Sequence, residues 1–262
     1  MKYGLVILSF NHPEITAQCV RSVLSFESVE HIFLVHNGSL QKHVDFLMAQ
    51  FPDIEHLILP ENKGFTGGAN WGISKALEKY EQILFLTNDT LLLQLPKTIQ
   101  TDLCSVQVLR RKSDKIDSVM GELDTITGQL RHLKEWPAAN TTAANKKYYV
   151  PGSGFWISRK AFEITHGFDE SLHSYWEDVD LSLRAQKSGL KLDYSSDTRI
   201  SHKIGKTTGG QDYYSFYLYQ RNRKKVMQKH QLTQIRFWWV FAVDVLRLSR
   251  LRWRKTVSIF FD

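Results

Sequence analysis

The sequence contains little cysteine, with only Cys19 and Cys104 among its 262 residues. Two cysteines so far apart exclude a disulfide-rich scaffold and supply too few thiolates for a cysteine-based zinc site. Long apolar runs are also missing, since the longest one near the C-terminus, residues 237–243, is far shorter than the roughly 20 residues of a membrane-spanning helix. The apolar start of the chain is interrupted at Asn11 before a signal-peptide core can develop. We therefore expect a cytoplasmic protein.

Acidic residues are scarce in one segment only. The formal net charge is +7, from 34 Lys and Arg against 27 Asp and Glu, and residues 221–255 contain eleven basic residues and a single acid, Asp244. The rest of the chain has 23 basic and 26 acidic residues, a net charge of −3. This distribution argues against a uniformly basic nucleic-acid-binding protein, and we expect no nucleic-acid partner.

Apolar runs and helical periods alternate along the first third of the chain. The pattern predicts strands and helices in turn over residues 2–10, 13–26, 31–35, 41–50, 56–59, 69–79 and 82–86. Pro13 suits the first position of the first helix because its missing N–H has no partner there in any case. Strands that alternate with helices at this spacing are typical of a parallel sheet covered by helices.

The pattern changes after about residue 105. It predicts a hairpin around residues 124–128, a helix over 159–165, a helix that begins at Ser174, and short strands over 148–150, 155–158, 191–194 and 199–202. From Tyr213 onward the sequence is helical, aromatic and basic. We therefore predict an α/β domain over residues 1–212 and a helical C-terminal extension over residues 213–262.

Polar side chains follow each of the first four predicted strands. They are Asn11, His36 with Asn37, Asn62 to Gly64, and Asn88 with Asp89. Ligands of parallel α/β sheets bind beyond the carboxyl ends of the strands, so these residues are candidates for one binding edge. Because Asn, Asp and Gly are also favoured in turns, each of them alone has a purely structural alternative.

The glycine-rich segment over residues 64–68 has two interpretations. Its backbone N–H groups could hold a phosphate at the start of a helix, or its glycines could allow close packing of the helix on the sheet. It lacks the Gly-Lys-Ser/Thr ending of a P-loop and follows the third strand, whereas the dinucleotide-binding fingerprint follows the first. The segment by itself is therefore a weak signal of phosphate binding.

Two further side chains could hold a metal ion. Asp89 ends an apolar strand, where a carboxylate can bind a hard divalent cation, although it could equally cap the turn with Thr90. His202 ends a short strand and could bind a metal or a phosphate through a neutral ring nitrogen, although a structural role is the more common one for a single histidine.

The densest acidic cluster lies at the start of a predicted helix, in the segment Ser174-Tyr-Trp-Glu-Asp-Val-Asp180. Ser174 and Glu177 could form a capping box, and Asp180 could pair with Arg184 one turn later. Those structural roles leave Asp178 unexplained, and a carboxylate in this place is a candidate general base. The neighbouring Tyr175 and Trp176 are large amphipathic rings that suit the face of an acceptor sugar.

Taken in order, these motifs resemble the family 2 inverting glycosyltransferases with a GT-A fold, in particular bacterial rhamnosyltransferase-like enzymes of surface polysaccharide synthesis. The resemblance covers about residues 2–205. The segments that carry it are Ile7 to Asn11, Val35 to Ser39, Glu61 to Asn70, Leu86 to Thr90, Pro151 to Gly154 and Gly167 to Arg184.

The resemblance implies a mostly parallel, mixed central sheet flanked by helices, and it implies roles for single residues. Asp89 corresponds to the last acid of a metal motif that ties Mg²⁺ or Mn²⁺ to the diphosphate of a dTDP- or UDP-sugar, with His202 assisting. Asp178 corresponds to the base that deprotonates the acceptor hydroxyl, with Glu177 on the acceptor side. The residues expected around the nucleotide are Asn11, His36, Asn37, Lys63, Gly67, Asn88 and Asp89.

Two residues depart from the family pattern. Thr87 stands where the first acid of the metal motif is expected, and His36 stands where an acid usually follows the second strand. The departures leave open which nucleotide is bound, and they favour an alternative in which the chain is a weak or inactive nucleotide- or glycan-binding scaffold. A nucleotidyltransferase is a further alternative, but the expected glycine-rich loop after the first strand is missing.

The C-terminal segment lies outside these motifs. The aromatic run over residues 237–241, followed by four arginines between 247 and 254, is typical of an amphipathic element at an anionic membrane surface. A lipid-linked or glycan acceptor would place the enzyme there, on the inner face of the membrane. The alternatives are packing on the catalytic domain or on a second subunit, which leaves an oligomer open.

Overall fold

The computed structural model describes residues 3–29, 31–110, 113–137, 144–202 and 213–232. The strands are β1 Gly4–Ser9, β2 Ile32–Asn37, β3 Glu55–Leu59, β4 Gln82–Thr87, β5 Thr90–Gln94, β6 Leu103–Arg110, β7 Ile116–Ser118, β8 Met120–Asp124, β9 Leu130–Leu133, β10 Lys146–Tyr149, β11 Gly154–Ser158 and β12 Leu192–His202. The α-helices are α1 Pro13–Leu24, α2 Gln41–Gln50, α3 Gly64–Leu77, α4 Arg159–Thr165, α5 Glu177–Lys187 and α6 Tyr213–Lys229. A 3₁₀ turn covers Glu170–Leu172.

The alternation predicted for the first third of the chain is confirmed. Strands β1 to β4 lie in the order β3-β2-β1-β4, and each neighbouring pair is parallel. Pro13 begins α1 as predicted, and the helix buries one face through Ala17, Val20 and Val23. Because parallel strands share their carboxyl edge, the polar residues that follow β1, β2 and β4 come out on the same side of the sheet.

The second half of the chain extends the same sheet. Strand β11 pairs antiparallel with both β4 and β6, and β12 runs parallel to β6 and antiparallel to β5. The order is β3-β2-β1-β4-β11-β6-β12-β5, and β7 joins at β6. Apolar side chains on both faces of this sheet form two core clusters, one with α1 and the other with α3, α4 and α5. The mixed, mostly parallel sheet flanked by helices is thus confirmed.

Several predicted boundaries were wrong. The glycine-rich segment belongs to the first turns of α3, and not to a turn before it. Strands β5 and β6 were missed, and residues 191–194 and 199–202 belong to one strand, β12, which is interrupted by a bulge. The capping box at Ser174 does not form, because α5 begins three residues later with no side-chain cap, whereas the pair of Asp180 with Arg184 is present at 2.8 Å.

A smaller unit packs beside the main sheet. The predicted hairpin is present as β8 and β9, and β10 adds the third strand in the order β10-β8-β9. Helix α6, the first part of the predicted C-terminal extension, packs with α5 and this small sheet. We call the shared core the α6 cluster: Leu123, Tyr149, Leu172, Trp176, Val179, Leu183, Val226 and Met227.

The rest of the extension, including the aromatic run and its arginines, lies outside the described residues. Within the described ranges, none of the helices combines the length and the apolar character that a membrane crossing requires. The domain boundary at residue 212 stays a prediction.

Candidate active site

A cleft of about 440 Å³ opens at the carboxyl edge of the main sheet. Both halves of the chain contribute, because β1, β2 and β4 end here and the segments before β11 and α5 reach the same place. Six of the residues that the sequence assigned to binding or catalysis line it: Asn37, Asn88, Asp89, Glu177, Asp178 and His202. The sequence therefore predicted which side chains share one cavity, although they lie as far as 165 positions apart.

Asp89 and His202 face each other at one side of the cleft. The Oδ2 atom of Asp89 lies 3.3 Å from Nε2 of His202, and the aspartate side chain is only 5% exposed. The two meet because β5 and β12 pair antiparallel, with Thr90 in register with His202. A carboxylate oxygen and an imidazole nitrogen this close can act together on a cation or a phosphate.

Thr87 and Asn88 complete the strand end at β4. The Thr87 hydroxyl lies 2.7 Å from Oδ1 of Asp89 and donates to it, so the residue that replaces the expected acid orients the remaining one. The Asn88 side chain donates to the Thr16 hydroxyl at 2.9 Å, which ties the cleft to α1. Asn88 is 5% exposed, and its described bond is structural.

Glu177 and Asp178 begin α5 and line the same cleft. Both oxygens of Asp178 accept backbone hydrogen bonds, Oδ2 from the N–H of Gly152 at 3.1 Å and Oδ1 from the N–H of Val179 at 2.8 Å. These bonds hold the carboxylate against the segment before β11. The Oε2 atom of Glu177 is buried without a hydrogen-bond partner in the described part of the chain.

Burial makes this pair of carboxyl groups unusual. It raises the pKa of Glu177 to about 8, with the neighbouring charge of Asp178 as the second cause. Burial also raises the pKa of Asp178, against the lowering effect of the N–H groups of Gly152 and Val179. Because adjacent carboxylates in an apolar site cannot both ionise easily, the pair retains a proton near neutral pH, and the charge of Asp178 favours Glu177 as the group that holds it.

Asn37 organises the loop before α3. Its Nδ2 donates to the Gly64 carbonyl oxygen at 2.8 Å, and its Oδ1 accepts from the Lys63 N–H at 2.9 Å. Gly64 has φ of +73°, and a Cβ there would lie 2.3 Å from the His173 ring, so only glycine fits. A Cβ at Gly68 would lie 2.7 Å from Nδ2 of Asn37. The glycines thus serve close packing, one of the two interpretations of the sequence.

Four of the residues expected around the nucleotide do not line the cleft. His36 is 1% exposed, its Nε2 lies 2.9 Å from Nδ1 of His56, and burial followed by the charge of His56 lowers its pKa to about 4. The Asn11 Oδ1 accepts from the Leu40 N–H at 3.1 Å. The others are Lys63, whose ammonium pairs with Glu61, and Gly67, which packs against Lys63. Their contact with a nucleotide stays a prediction that this arrangement does not support.

The acceptor assignment of Trp176 was wrong. Its side chain is 2% exposed and belongs to the α6 cluster, so its ring offers no face to a sugar. Tyr175 is half-buried and packs edge-on against Tyr219, with ring centroids 6.3 Å apart. A pair of neighbouring aromatic residues in the sequence cannot distinguish a ring that faces a cleft from one that anchors a helix, because both need large apolar area.

The family can now be assigned. The model of the glycosyl transferase family 2 matches residues 5–163, which is more than half of the chain. The chain belongs to glycosyltransferase family 2. A search among curated proteins finds no significant match.

Solved structures of glycosyltransferases share the fold. GalNAc-T7, in a structure with UDP, GalNAc and Mn²⁺, has 15% identity and a TM-score of 0.59 over 93% of this chain and 57% of its own. TarS of S. aureus has 14% identity and a TM-score of 0.53 over 85% and 39%. The mannosyltransferase PcManGT of Pyrobaculum calidifontis, with GDP-Man and Mn²⁺, has 11% identity and a TM-score of 0.52 over 85% and 60%.

These likenesses confirm the predicted GT-A fold, and their low identity limits them to the fold. This glycosyltransferase spans between 39% and 60% of the length of the three solved chains. The family gives the glycosyltransferase class, and the sugar, the acceptor and the stereochemistry belong to the proposal below.

Some residues of the cleft of this glycosyltransferase were not singled out as site residues. His132 on β9 lines it, and its charge lowers the pKa of Asp178 against the larger effect of burial. His173 and Ser153 line it as well. The Ser153 carbonyl oxygen accepts from the Thr87 N–H at 3.1 Å, which joins the two halves of the site. Ser153 and His173 lie in segments that carry the family resemblance, but no sequence signal gave these residues or His132 a role, because each has its role only through the neighbours that the fold supplies.

Proposed function

We propose that the chain is a metal-dependent inverting glycosyltransferase. It transfers a sugar from a nucleoside-diphosphate donor, a dTDP- or UDP-sugar, to a glycan or lipid-linked acceptor in bacterial surface polysaccharide synthesis. Rhamnose is the sugar that the sequence resemblance suggests. The observation that carries the proposal is a single cleft lined both by a half-buried carboxylate, Asp178, and by the pair of Asp89 and His202.

The residues present fit a divalent cation. Among the residues that the structure describes, no group of three or more His, Cys, Asp or Glu side chains could hold one. The two that meet, Asp89 and His202, are 3.3 Å apart, close to the roughly 3 Å between adjacent ligands of an octahedral ion with bonds of about 2.1 Å. Mg²⁺ is usually bound through one or two carboxylates together with substrate phosphates and water. When bound, such a cation would stabilise the negative charge of the diphosphate leaving group.

Asp178 would act as the general base. A sugar hydroxyl is a weak nucleophile and needs a carboxylate within hydrogen-bond reach to take its proton as it attacks. Since Glu177 holds the shared proton, Asp178 is the ionised member of the pair and can accept one. The attack of the hydroxyl forms the new glycosidic bond and breaks the bond to the diphosphate. One base and no protein nucleophile give a single displacement with inversion.

The acceptor would lie at a membrane surface. Helix α6 supports this part of the proposal, since its outer face exposes Tyr214 and Tyr217 beside Arg221, Lys224 and Lys225. The aromatic rings suit the headgroup region, and each basic residue near an anionic surface contributes about 1 kcal/mol. The same helix leads toward the aromatic and arginine-rich segment over residues 237–254.

The proposal is tested with a panel of UDP- and dTDP-sugars, with and without Mn²⁺. In the wild-type chain we expect Mn²⁺-dependent donor binding by calorimetry, and sugar transfer or donor hydrolysis that EDTA suppresses. Asp178→Asn is expected to retain donor binding and to lose about 100-fold or more in turnover, the usual contribution of a positioned base. The matched control is Asp197→Asn, an exposed carboxylate on β12, which should keep full turnover.

Near-normal turnover in Asp178→Asn would refute the assignment of the base. Turnover that EDTA leaves unchanged would remove the metal role of Asp89 and His202. Donor binding without transfer or hydrolysis across the panel would instead favour the scaffold alternative, which the replacement of an acid by Thr87 motivates.

A further inference from the structure

We propose that Asn222 of α6 is a positioning residue that fixes the backbone of residues 172–176, the loop that delivers Glu177 and Asp178 to the cleft. This role rests on the proposed function, in which Asp178 is the base. It gives the first part of the C-terminal extension a place in the catalytic site, which the sequence pattern did not indicate.

The loop before α5 has an unfavourable backbone conformation. His173, Tyr175 and Trp176 have positive φ values of 64°, 69° and 70°, and none of them is glycine. Each such residue costs about 1–3 kcal/mol and persists only where the surrounding structure holds it in place. Glu177 and Asp178 follow directly, so the direction of their side chains depends on this conformation.

The loop is held in place by hydrogen bonds to its backbone carbonyl oxygens. The oxygen of His173 accepts from the N–H of Thr66 at 3.2 Å, and the oxygen of Trp176 accepts from the N–H of Asp180 at 3.0 Å inside α5. The remaining three, those of Leu172, Ser174 and Tyr175, all accept from the side-chain amide of Asn222. The Leu172 oxygen also accepts from the Ser174 N–H at 2.7 Å and from Nη2 of Arg221 at 3.3 Å, so the oxygens of Ser174 and Tyr175 depend most on Asn222.

The Asn222 amide is built for this contact. Its Nδ2 lies 2.7, 2.8 and 2.9 Å from the oxygens of Leu172, Ser174 and Tyr175, and the residue is fully buried. Its Oδ1 accepts from Nε of Arg221 at 2.9 Å, which fixes the amide with its N–H groups toward the loop. Two N–H hydrogens serve three oxygens, so at least one bond is shared, and an apolar side chain here would leave buried carbonyls without a donor.

Helix α6 has other attachments, so a change at Asn222 need not release it. Lys229 pairs with Asp169 at 2.8 Å and with Asp180 at 2.9 Å. His230, just beyond the helix, pairs with Asp180 at 2.8 Å, and Val226 and Met227 are buried in the α6 cluster. The loss of the Asn222 bonds is therefore expected to loosen the loop while the helix stays in place.

The test uses two variants of the full chain. Asn222→Ala removes the amide, and Asn222→Asp keeps its shape but replaces the N–H donors by an oxygen that faces three carbonyl oxygens. For both we expect kcat to fall by about 100-fold, the effect of a misplacement near 1 Å, while the KM for the donor changes less than about threefold. By hydrogen–deuterium exchange, peptides over residues 172–178 should exchange about tenfold faster than in the wild type.

The matched control is Val23→Ala, which truncates a fully buried valine of α1 and lowers the melting temperature through lost packing in a core cluster that shares no residue with the α6 cluster. It should leave kcat and the exchange of residues 172–178 unchanged. Wild-type kcat and exchange in Asn222→Asp would overturn the proposal, as would equal losses in Val23→Ala. If the wild-type chain transfers no sugar, the proposed function fails, and the exchange measurement still decides whether Asn222 holds the loop.

Discussion

The buried proton of Glu177 makes a prediction about stability. Its pKa is about 8 in the folded protein, against an ordinary value of 4.5. Between these two values the folded chain binds a proton that the unfolded chain has released, so the free energy of unfolding decreases as the pH rises. The decrease is at most about 1.4 kcal/mol for each pH unit. Glu177→Gln keeps the shape and cannot titrate, so the variant should lack this decrease.

His36 determines the pH window in which the effect can be measured. Its pKa is lowered from 6.5 to about 4, so between these values the unfolded chain binds the extra proton and stability rises with pH. The two groups therefore oppose each other below pH 6.5, and above it the pair of Glu177 and Asp178 acts without His36. From pH 6.5 to 7.5 the wild type should lose about 1.2 kcal/mol relative to Glu177→Gln, or about 2–4 °C in melting temperature.

The assay is urea unfolding of both chains at pH 6.5, 7.0 and 7.5 and constant ionic strength. Titrating groups that do not interact with Glu177 contribute equally to both chains and cancel, so the difference reports the pair of Glu177 and Asp178. Glu163→Gln, an exposed glutamate on α4, is the control and should differ from the wild type by a constant amount. Wild-type and Glu177→Gln profiles that stay parallel across this window would refute the assignment of the proton to Glu177.

Two further predictions concern helix α6 and the segment that follows it. Asp180 is fully buried between Arg184, Lys229 and His230, whose bonds hold its pKa below the ordinary value although burial raises it. Asp180→Asn should lower the free energy of unfolding at pH 7 by about 3 kcal/mol, and this loss should become smaller as the pH falls below 3.8. A loss under about 1 kcal/mol at pH 7 would contradict the pairing. Deletion of residues 236–262 should abolish flotation with vesicles that contain anionic lipid. It should leave the weak flotation with neutral vesicles unchanged. Unchanged binding to anionic vesicles would refute the membrane role.

The first half of the fold could be predicted because its signals are local. Apolar runs of strand length, Pro13 at a helix start and the turn after Asn37 each depend on a few neighbouring residues. Strands β5 and β6 were missed because their pairing partner, β12, lies about a hundred residues later in the chain. The start of α3 was misplaced because glycines usually indicate a turn, while here they allow contact with β1 and β2.

The candidate site was predictable to the extent that its residues carry unusual chemistry. Asp89, Glu177, Asp178 and His202 do line one cleft, and their catalytic roles stay predictions. The burial of His36 and Trp176 could not be predicted, because it depends on His56 from another strand and on α6. Nothing in the sequence indicated a role for Asn222, since a single asparagine within a run of basic residues is typical of an exposed helix face.

The order of the strands has a consequence for synthesis on the ribosome. Strand β4 is almost wholly apolar, and its second neighbour, β11, begins 67 positions after β4 ends. While residues 88–153 are being translated, the nascent sheet has an open hydrophobic edge of the kind that pairs readily with other chains. The emergence of β11 closes this edge. The segment just before β11 carries Gly152, whose N–H can reach the oxygen of Asp178 only after α5 has followed. The step that protects the chain from aggregation therefore precedes the completion of the cleft.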